Sequence, residues 1–249
     1  MPFLDLLPSV CWVCHAWPSQ AICPDCVQRF ASPQPRCQRC ALPLAETVPI
    51  SLPLASPLCT SCLALEGLHE PGRADALDSC TACVDYDFPW ASCVVDFKFH
   101  QAPAWAPVFA ALMQLNPLLE AQLETVAHVL PMPLSKASLR VRGYNQALEL
   151  ARALSPERTR PQWLMKLRET TAQSELKGAA RLRNLDGALA LEPMVHRQIK
   201  GARVLLIDDV MTTGTTLREA AQRLRQCGAS EVHAAVFART LAPDSGWER

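Results

Sequence analysis

The sequence predicts an α/β protein in which a cysteine-rich metal-binding module precedes a parallel sheet with flanking helices. Ten of the twelve cysteines fall in five CxxC pairs, a spacing typical of metal sites in a cytosolic chain. Residues 203–239 read as strand, loop, helix and strand, the unit that builds a parallel sheet. The composition changes near residue 80, so we predict two domains, 1–79 and 80–249.

The overall composition is that of a globular protein without a global charge. Hydrophobic residues make up 49% and charged residues 19% of the 249 residues, which excludes a disordered chain. Lysine plus arginine and aspartate plus glutamate number 24 each, so no overall basic field indicates a nucleic-acid partner. The start of the sequence lacks a basic n-region, and no apolar run approaches the ~20 residues of a membrane span. We therefore expect a cytoplasmic protein with no membrane span.

The module within residues 1–79 is predicted to bind zinc. Its first four cysteines are spaced C-x2-C-x8-C-x2-C and its last four C-x2-C-x18-C-x2-C, and the second spacing is in the range of zinc ribbons. Two thiolates at CxxC spacing can bind one tetrahedral metal ion from a single tight turn. Eight ligands could hold two zinc ions, or one closed site with the other pairs left as thiols, and the pairs could interleave. The predicted ligands are Cys11, Cys14, Cys23, Cys26, Cys37, Cys40, Cys59 and Cys62. We expect the other four cysteines to be structural; they are Cys80, Cys83, Cys93 and Cys227.

The first part of the predicted α/β domain alternates between strand and helix patterns. Residues 84–100 have strand-like runs, and residues 104–123 predict a helix interrupted at Pro117. Residues 125–135 predict a strand that runs into a loop. Residues 145–154 place apolar side chains on one helical stripe, which predicts an amphipathic helix.

The last part of the chain has the clearest pattern. Residues 204–207 predict a buried strand, and the following helix is expected to end at Gly228, which can act as a C-cap. Residues 231–239 predict the next strand.

The segment between that strand and helix combines Asp208 and Asp209 with four threonines around Gly214. In a parallel sheet, ligands bind beyond the carboxyl ends of the strands. Glycine can adopt a positive φ, so backbone amides can converge on a phosphate next to the helix N-terminus. The two carboxylates then need sugar hydroxyls or Mg²⁺ as partners, and a sugar phosphate meets both demands. The alternative is an ordinary turn in which Thr215 or Thr216 caps the helix and the aspartates are solvated.

Three segments carry a resemblance to known proteins. "VLLIDDVMTTGTTL" (204–217) resembles the phosphoribosyl pyrophosphate (PRPP) motif of type I phosphoribosyltransferases. "PMPLSKASLRVRGYNQALELA" (131–151) and "RETTAQSELKGAARLRNLDGAL" (168–189) resemble the two signatures of the ComF/GntX family, and "FKFH" around Lys98 also matches. With its cysteine-rich N-terminus, the chain is identified as a member of that family of zinc-containing phosphoribosyltransferase relatives.

The resemblance implies the type I phosphoribosyltransferase fold, PRPP as ligand and Mg²⁺ as its companion ion. It implies that Asp208 and Asp209 are the catalytic acids that hold the ribose 2′- and 3′-hydroxyls, and that residues 170–184 form a hood over the substrate. It also implies a link to competence and DNA uptake, and so competence proteins as partners. The implied phosphate-binding residues are Thr212, Thr213, Gly214, Thr215, Thr216, Lys136, Arg142 and Arg181.

The charge distribution supports the pyrophosphate position independently. Residues 136–183 contain eleven lysines and arginines but only four acids, and arginine suits phosphate oxygens. We interpret Arg152, Arg158 and Arg160 as part of a solvated helical surface, whereas Arg142 and Arg181 lie inside the family motifs.

Three functions stay open at this level. The chain could be a Mg²⁺-dependent transferase of unknown acceptor, a non-catalytic PRPP or nucleotide binder, or a single-stranded nucleic-acid binder that uses the basic segment. The cysteine-rich module alone is a poor DNA reader, because residues 1–79 carry four arginines against seven acids, and DNA affinity depends largely on phosphate neutralisation.

Overall fold

The computed structural model of the protein describes residues 9–44, 57–66, 76–167 and 189–241. Its central sheet has four parallel strands in the order β1-β6-β5-β2, and a separate antiparallel pair is formed by β3 and β4. The strands are β1 (Ser79–Asp85), β2 (His128–Pro131), β3 (Leu164–Lys166), β4 (Leu189–Leu191), β5 (Arg203–Met211) and β6 (Glu231–Arg239). The parallel sheet confirms the predicted fold class.

The helices connect these strands and cover both faces of the sheet. They are α1 (Pro24–Phe30), α2 (Thr60–Glu66), α3 (Trp90–Phe99), α4 (Trp105–Met113), α5 (Pro117–Thr125), α6 (Lys136–Arg142), α7 (Gln146–Leu154), α8 (His196–Ile199) and α9 (Thr215–Gln226). The predicted interruption at Pro117 is confirmed, because Pro117 begins α5 and Asn116 caps it by accepting the Leu118 amide. Proline is tolerated at that position since a first-turn amide has no intrahelical acceptor.

Two predictions of secondary structure are wrong. The strand-like runs in residues 84–100 are mostly helix α3, whose buried residues Trp90, Cys93, Val94 and Phe97 recur at helical spacing. The strand predicted to end at Ile207 continues to Met211, because β6 pairs with β5 as far as Met211 and Arg239. The two aspartates therefore lie within a strand rather than in a loop.

Each face of the sheet has its own apolar core. On one face, Phe109 of α4 stacks on Phe237 of β6 with ring centroids 3.8 Å apart. On the other face, Ala220, Ala221 and Leu224 of α9 pack against the sheet. Successive residues of β5 alternate between the two cores, and this rigid strand carries both aspartates.

The cysteine-rich segment packs against the residues of the sheet and its helices. The Trp12 ring lies 5.0 Å from that of Trp105 in α4. Further along the segment, the Gln38 carbonyl accepts the Cys80 amide of β1 at 2.7 Å. The predicted boundary between residues 79 and 80 falls at the start of β1, and the division into two domains stays a prediction.

Among the described residues, no helix has the length and apolar character needed to cross a membrane.

Candidate functional site

A cleft of about 470 Å³ opens at the carboxyl ends of β2 and β5. One wall is the loop after β2 and the adjoining face of α6. The other wall is the end of β5 and the segment 212–216 that leads into α9. This is the position at which open parallel sheets bind ligands, and the predicted acids and threonines all line it.

The two aspartates have different surroundings. Asp209 is only 5% exposed, and its Oδ1 forms an ion pair with Lys98 Nζ of α3 at 3.2 Å. Its Oδ2 is buried and has no hydrogen-bond partner in the described part of the chain. A buried carboxylate oxygen without a donor is costly, so this atom indicates a place for a ligand hydroxyl or a cation.

Asp208 is half-buried and lies next to that ion pair. Its Oδ1 accepts the Asp209 amide at 2.9 Å. Burial, and to a lesser degree the negative charge of Asp209, raises the pKa of Asp208 to about 7, although Lys98 acts in the opposite direction. At neutral pH the pair therefore carries less than two full negative charges, and a bound cation or donor would complete the ionisation.

The segment after β5 has the positive φ that was predicted at Gly214, and its role in binding phosphate stays a prediction. Gly214 has a φ of 74° and is itself the N-cap of α9, so the prediction that Thr215 or Thr216 caps the helix is wrong. The Thr215 amide donates to Thr213 Oγ1 at 3.4 Å, and the two hydroxyl oxygens lie 2.8 Å apart. A Cβ at Gly214 would collide with the Met211 side chain. The amides of the first turn of α9 and the threonine hydroxyls thus provide donors beside the carboxylates.

The basic residues predicted to bind pyrophosphate are distributed unevenly. Arg142 lines the cleft, where its Nη1 donates to Gln146 Oε1 at 3.1 Å. Lys136 is exposed at the start of α6 and does not line the cleft. Arg181 and the predicted hood, residues 170–184, lie outside the described residues. The roles of these three basic residues stay predictions.

Two further cations of the cleft, Lys98 and Lys166, were not assigned a role from the sequence. Lys98 stands in the "FKFH" match to the family signature, which was the available signal. The sequence could not show that a lysine on α3 reaches an aspartate on β5.

Of the three arginines interpreted as a solvated helical surface, only Arg152 is exposed on a helix; Arg158 and Arg160 are half-buried in the segment after α7, so the interpretation is wrong for these two. Arg152 pairs with Glu149 one helical turn away at 3.1 Å, and Arg158 donates to the Leu123 carbonyl. Arg160 donates to the Glu157 carbonyl at 2.7 Å. Each of these interactions fixes local structure outside the cleft.

The eight predicted zinc ligands form two separate four-cysteine clusters without interleaving. The first cluster contains Cys11, Cys14, Cys23 and Cys26, and the second contains Cys37, Cys40, Cys59 and Cys62. Within each cluster the sulfur atoms all lie within 4.8 Å of one another, so each could hold one metal ion. The remaining four cysteines belong to neither cluster, as predicted.

In the second cluster, burial and hydrogen bonds between neighbouring thiols change the pKa values of three cysteines. A hydrogen bond from Cys40 lowers the pKa of the Cys37 thiol to about 4, and the same interaction raises the pKa of Cys40. Burial raises the pKa of Cys62 to about 12. These interactions favour a thiolate at Cys37 and disfavour ionisation of Cys40 and Cys62, and a bound divalent metal ion would replace the thiol protons.

Comparison with known proteins gives a domain match and full-length relatives. Residues 146–248 match the model of the phosphoribosyl transferase domain. The DNA utilization protein YhgH of Salmonella typhimurium is 29% identical over 250 residues, which cover 94% of this chain and 99% of that protein. The protein of the same name from Escherichia coli K12 is 28% identical over 245 residues, with the same coverage. Competence protein F of Haemophilus influenzae is 33% identical over 127 residues, 47% of this chain and 52% of that protein.

Proposed function

Because the chain is a ComF/GntX-type protein with a phosphoribosyl transferase domain, we propose that it binds PRPP with Mg²⁺ and transfers the phosphoribosyl group to an acceptor. The observation that carries the proposal is the meeting of the Asp208–Asp209 pair and the Thr212–Thr216 segment in one cleft beyond the sheet. One group accepts hydrogen bonds and the other donates them, so they suit the hydroxyl and phosphate ends of one pentose phosphate.

The 5′-phosphate would lie against the segment 212–216 and the first turn of α9. A positive φ at Gly214 turns the chain so that successive amides face the same side. The helix N-terminus adds a partial positive charge. Hydroxyls of Thr213 and Thr215 supply further donors, and they already contact each other across the loop.

The ribose hydroxyls would donate to the aspartates. Asp209 offers Oδ2, which lacks a donor among the described residues, while its Oδ1 is held by Lys98. Asp208 has a raised pKa, so hydroxyl donors would stabilise its ionised form. Lys98 holds Oδ1 of Asp209 in an ion pair and leaves Oδ2 without a partner among the described residues.

Mg²⁺ is compatible with this site. The carboxylate oxygens of Asp208 and Asp209 are the hard donors that Mg²⁺ prefers, and the unpartnered Oδ2 is such a donor. A bound Mg²⁺ would offset the negative charge of the departing pyrophosphate.

The transfer itself would break the bond between ribose C1 and pyrophosphate and form a bond from C1 to the acceptor's electron pair. Charge develops on the ring and on the leaving oxygens, by analogy with glycoside chemistry. Arg142 and Lys166 in the cleft are the described cations available to the leaving group, and Asp208 and Asp209 face the ring. The work of the protein is to position the reactants and to neutralise charge.

Calorimetric titration with PRPP and Mg²⁺ tests the binding step. We expect Asp208→Asn and Asp209→Asn each to weaken binding at least tenfold, whereas Arg152→Ala, which removes only a surface ion pair, leaves it unchanged. Wild-type protein that binds no PRPP would refute the proposal. Pyrophosphate release with a panel of bases and amines then separates an enzyme from a non-catalytic binder.

A second candidate function is the handling of single-stranded nucleic acid. It is favoured by relatives whose names refer to DNA utilization and competence, and by exposed Lys136 and Arg140 next to the cleft. Binding of this kind weakens steeply with salt because phosphate contacts release counterions. Gel shifts with single-stranded DNA at two salt concentrations test it, and a flat salt response excludes it. Competence proteins would be the corresponding partners.

We also propose that zinc occupies both four-cysteine clusters, that residues 1–79 and 80–249 are separate domains, and that the protein acts in the cytoplasm. The two sets of four close sulfur atoms support zinc, since closed sites with four thiolates are typical of structural zinc. Paired cysteines at CxxC spacing that gather in four-sulfur clusters support a reducing compartment, because such spacing is typical of metal sites in cytosolic chains. Native mass spectrometry should show two zinc ions per chain.

A further inference from the structure

The most informative feature outside the cleft is Arg239, the last residue of β6. Arg239 is only 5% exposed. Its Nε donates to the Cys40 carbonyl at 2.8 Å, and its Nη1 donates to the carbonyls of Met211 at 3.3 Å and Thr212 at 2.5 Å. In the described part of the chain no carboxylate lies within ion-pair distance of it. One buried side chain thus joins the second cysteine cluster to the start of the phosphate loop.

A second path joins the same two places. The Cys80 amide donates to the Gln38 carbonyl, which lies inside the turn of Cys37 and Cys40, at 2.7 Å. The Cys80 sulfur lies 3.4 Å from the Met211 sulfur. Met211 in turn fills the space beside Gly214. The backbone of the cysteine turn is therefore connected to the loop in two ways, through Arg239 and through Cys80 and Met211.

We propose that Arg239 is a positioning residue that couples metal occupancy of the second cluster to the shape of the phosphate loop. A metal ion in the cluster then strengthens sugar-phosphate binding at the loop, and a sugar phosphate at the loop strengthens metal binding in the cluster. The sugar-phosphate half of this inference rests on the proposed function. The coupling between the cluster and the loop does not.

The coupling follows from the geometry of the guanidinium group. Its N–H donors are fixed in one plane, so the Cys40 carbonyl and the Met211 and Thr212 carbonyls cannot move independently. A buried cation also needs its acceptors, because a lost hydrogen bond there is not replaced by water. A metal ion bound by Cys40 fixes the turn and its carbonyl, and the arginine transmits that position to the loop.

Charge acts in the same direction. Four thiolates around one Zn²⁺ leave a net negative charge, and Arg239 is a buried cation next to that site. The loaded cluster thus stabilises the arginine in its present place. Coupling of binding free energies is reciprocal, so a sugar phosphate on the loop must tighten metal binding by the factor by which the metal tightens sugar-phosphate binding.

The first cluster contacts a different part of the structure from the second cluster. Its segment contacts the helical layer through Trp12 and Trp105, and the Phe30 carbonyl accepts the Trp90 indole N–H at 2.7 Å. These contacts lead to α3 and α4, on the face opposite α9. Only the second cluster is expected to influence the loop.

Arg36 is a matched control for Arg239. It is also a buried arginine at the second cluster, and it donates to the Ala41 carbonyl at 3.1 Å. Its other partner is Asp85 at the end of β1, at 2.8 Å, rather than the loop. Replacing it removes a comparable buried cation and leaves the path to the loop intact.

The test measures PRPP affinity of the full chain by calorimetry, with zinc loaded and after removal by a chelator. We expect zinc removal to weaken binding about tenfold in the wild type and in Arg36→Met. Arg239→Met should bind about tenfold more weakly with zinc present and lose the zinc dependence. Arg239→Lys keeps the charge but lacks the planar fork, and should fall between them. The reciprocal measurement is zinc affinity by chelator competition, which PRPP should raise in the wild type and not in Arg239→Met.

Amide hydrogen exchange of residues 211–216 supplies a readout that needs no ligand. Zinc removal should speed their exchange in the wild type and in Arg36→Met. If the wild type fails to bind PRPP, the proposed function fails while this exchange still decides the coupling. If Arg239→Met does not fold, Arg239→Lys decides it. Unchanged zinc dependence in the arginine variants, or unchanged exchange in the wild type, overturns the inference.

Discussion

Replacing Asp208 by asparagine should make the protein more stable while abolishing PRPP binding. Burial and the neighbouring Asp209 raise the pKa of Asp208 from 3.8 to about 7, so keeping it ionised at neutral pH costs the folded state free energy. Each pKa unit corresponds to about 1.4 kcal/mol, which gives a cost of about 4 kcal/mol. The residue is half-buried beside the open cleft, and solvent screening reduces the figure to about 2 kcal/mol.

The sign can be checked through its pH dependence. Between pH 4 and pH 7 the folded protein holds a proton on Asp208 that the unfolded chain has released, so the unfolding free energy falls as pH rises through this window. Asparagine does not titrate. The stability gain of Asp208→Asn should therefore be about 2 kcal/mol at pH 7.5 and smaller at pH 5.5.

Urea unfolding of zinc-loaded protein at the two pH values measures this difference. Asp209→Asn is the control, because it removes the buried carboxylate that pairs with half-buried Lys98 at 3.2 Å and should lower stability by about 2 kcal/mol. Replacing Asp208 is thus expected to raise the free energy of unfolding, and replacing the adjacent Asp209 is expected to lower it. A variant at Asp208 that is no more stable than wild type at pH 7.5, or a gain that does not shrink at pH 5.5, would refute the reasoning.

Three other predictions concern the cleft and the module. Lys98→Met leaves the Asp209 carboxylate buried without its cation and should cost about 3 kcal/mol in urea unfolding; a loss under 1 kcal/mol would show that the pair is not a buried one. Gly214→Ala combines a positive φ of 74° with a collision against Met211, so we expect a loss of about 1–2 kcal/mol in thermal unfolding and no detectable PRPP binding by calorimetry. Removal of zinc by a chelator should lower the melting temperature by more than 10 °C, and a temperature that does not change would mean that the clusters hold no structural metal.

Much of the fold could be predicted because local and tertiary preferences agree in the last third of the chain. The strands β5 and β6 contain the apolar runs 204–207 and 234–238, as expected for strands buried on both faces. The glycine before α9 indicated the turn into the helix. The helix α3 was missed because its apolar and β-branched residues have strand propensity, and burial against the sheet overrides that preference.

The site was predictable in its composition but not in its cross-chain contacts. Asp208, Asp209 and the threonines are contiguous, so their proximity followed from one motif. Lys98 is more than a hundred residues from Asp209, and only the fold brings the two together. The same holds for Arg239, whose partners at Cys40 and Met211 come from opposite ends of the chain.

Both outer strands of the parallel sheet are covered by other parts of the chain. At β2, residues 158–160 exchange hydrogen bonds with Val129, and at β1 the Gln38 carbonyl takes the Cys80 amide. A bare outer strand is a template for pairing with another molecule. If the second cysteine cluster holds a metal ion, loss of that ion would free the turn that covers Cys80, and we expect the uncovered edge of β1 to favour self-association of the chain.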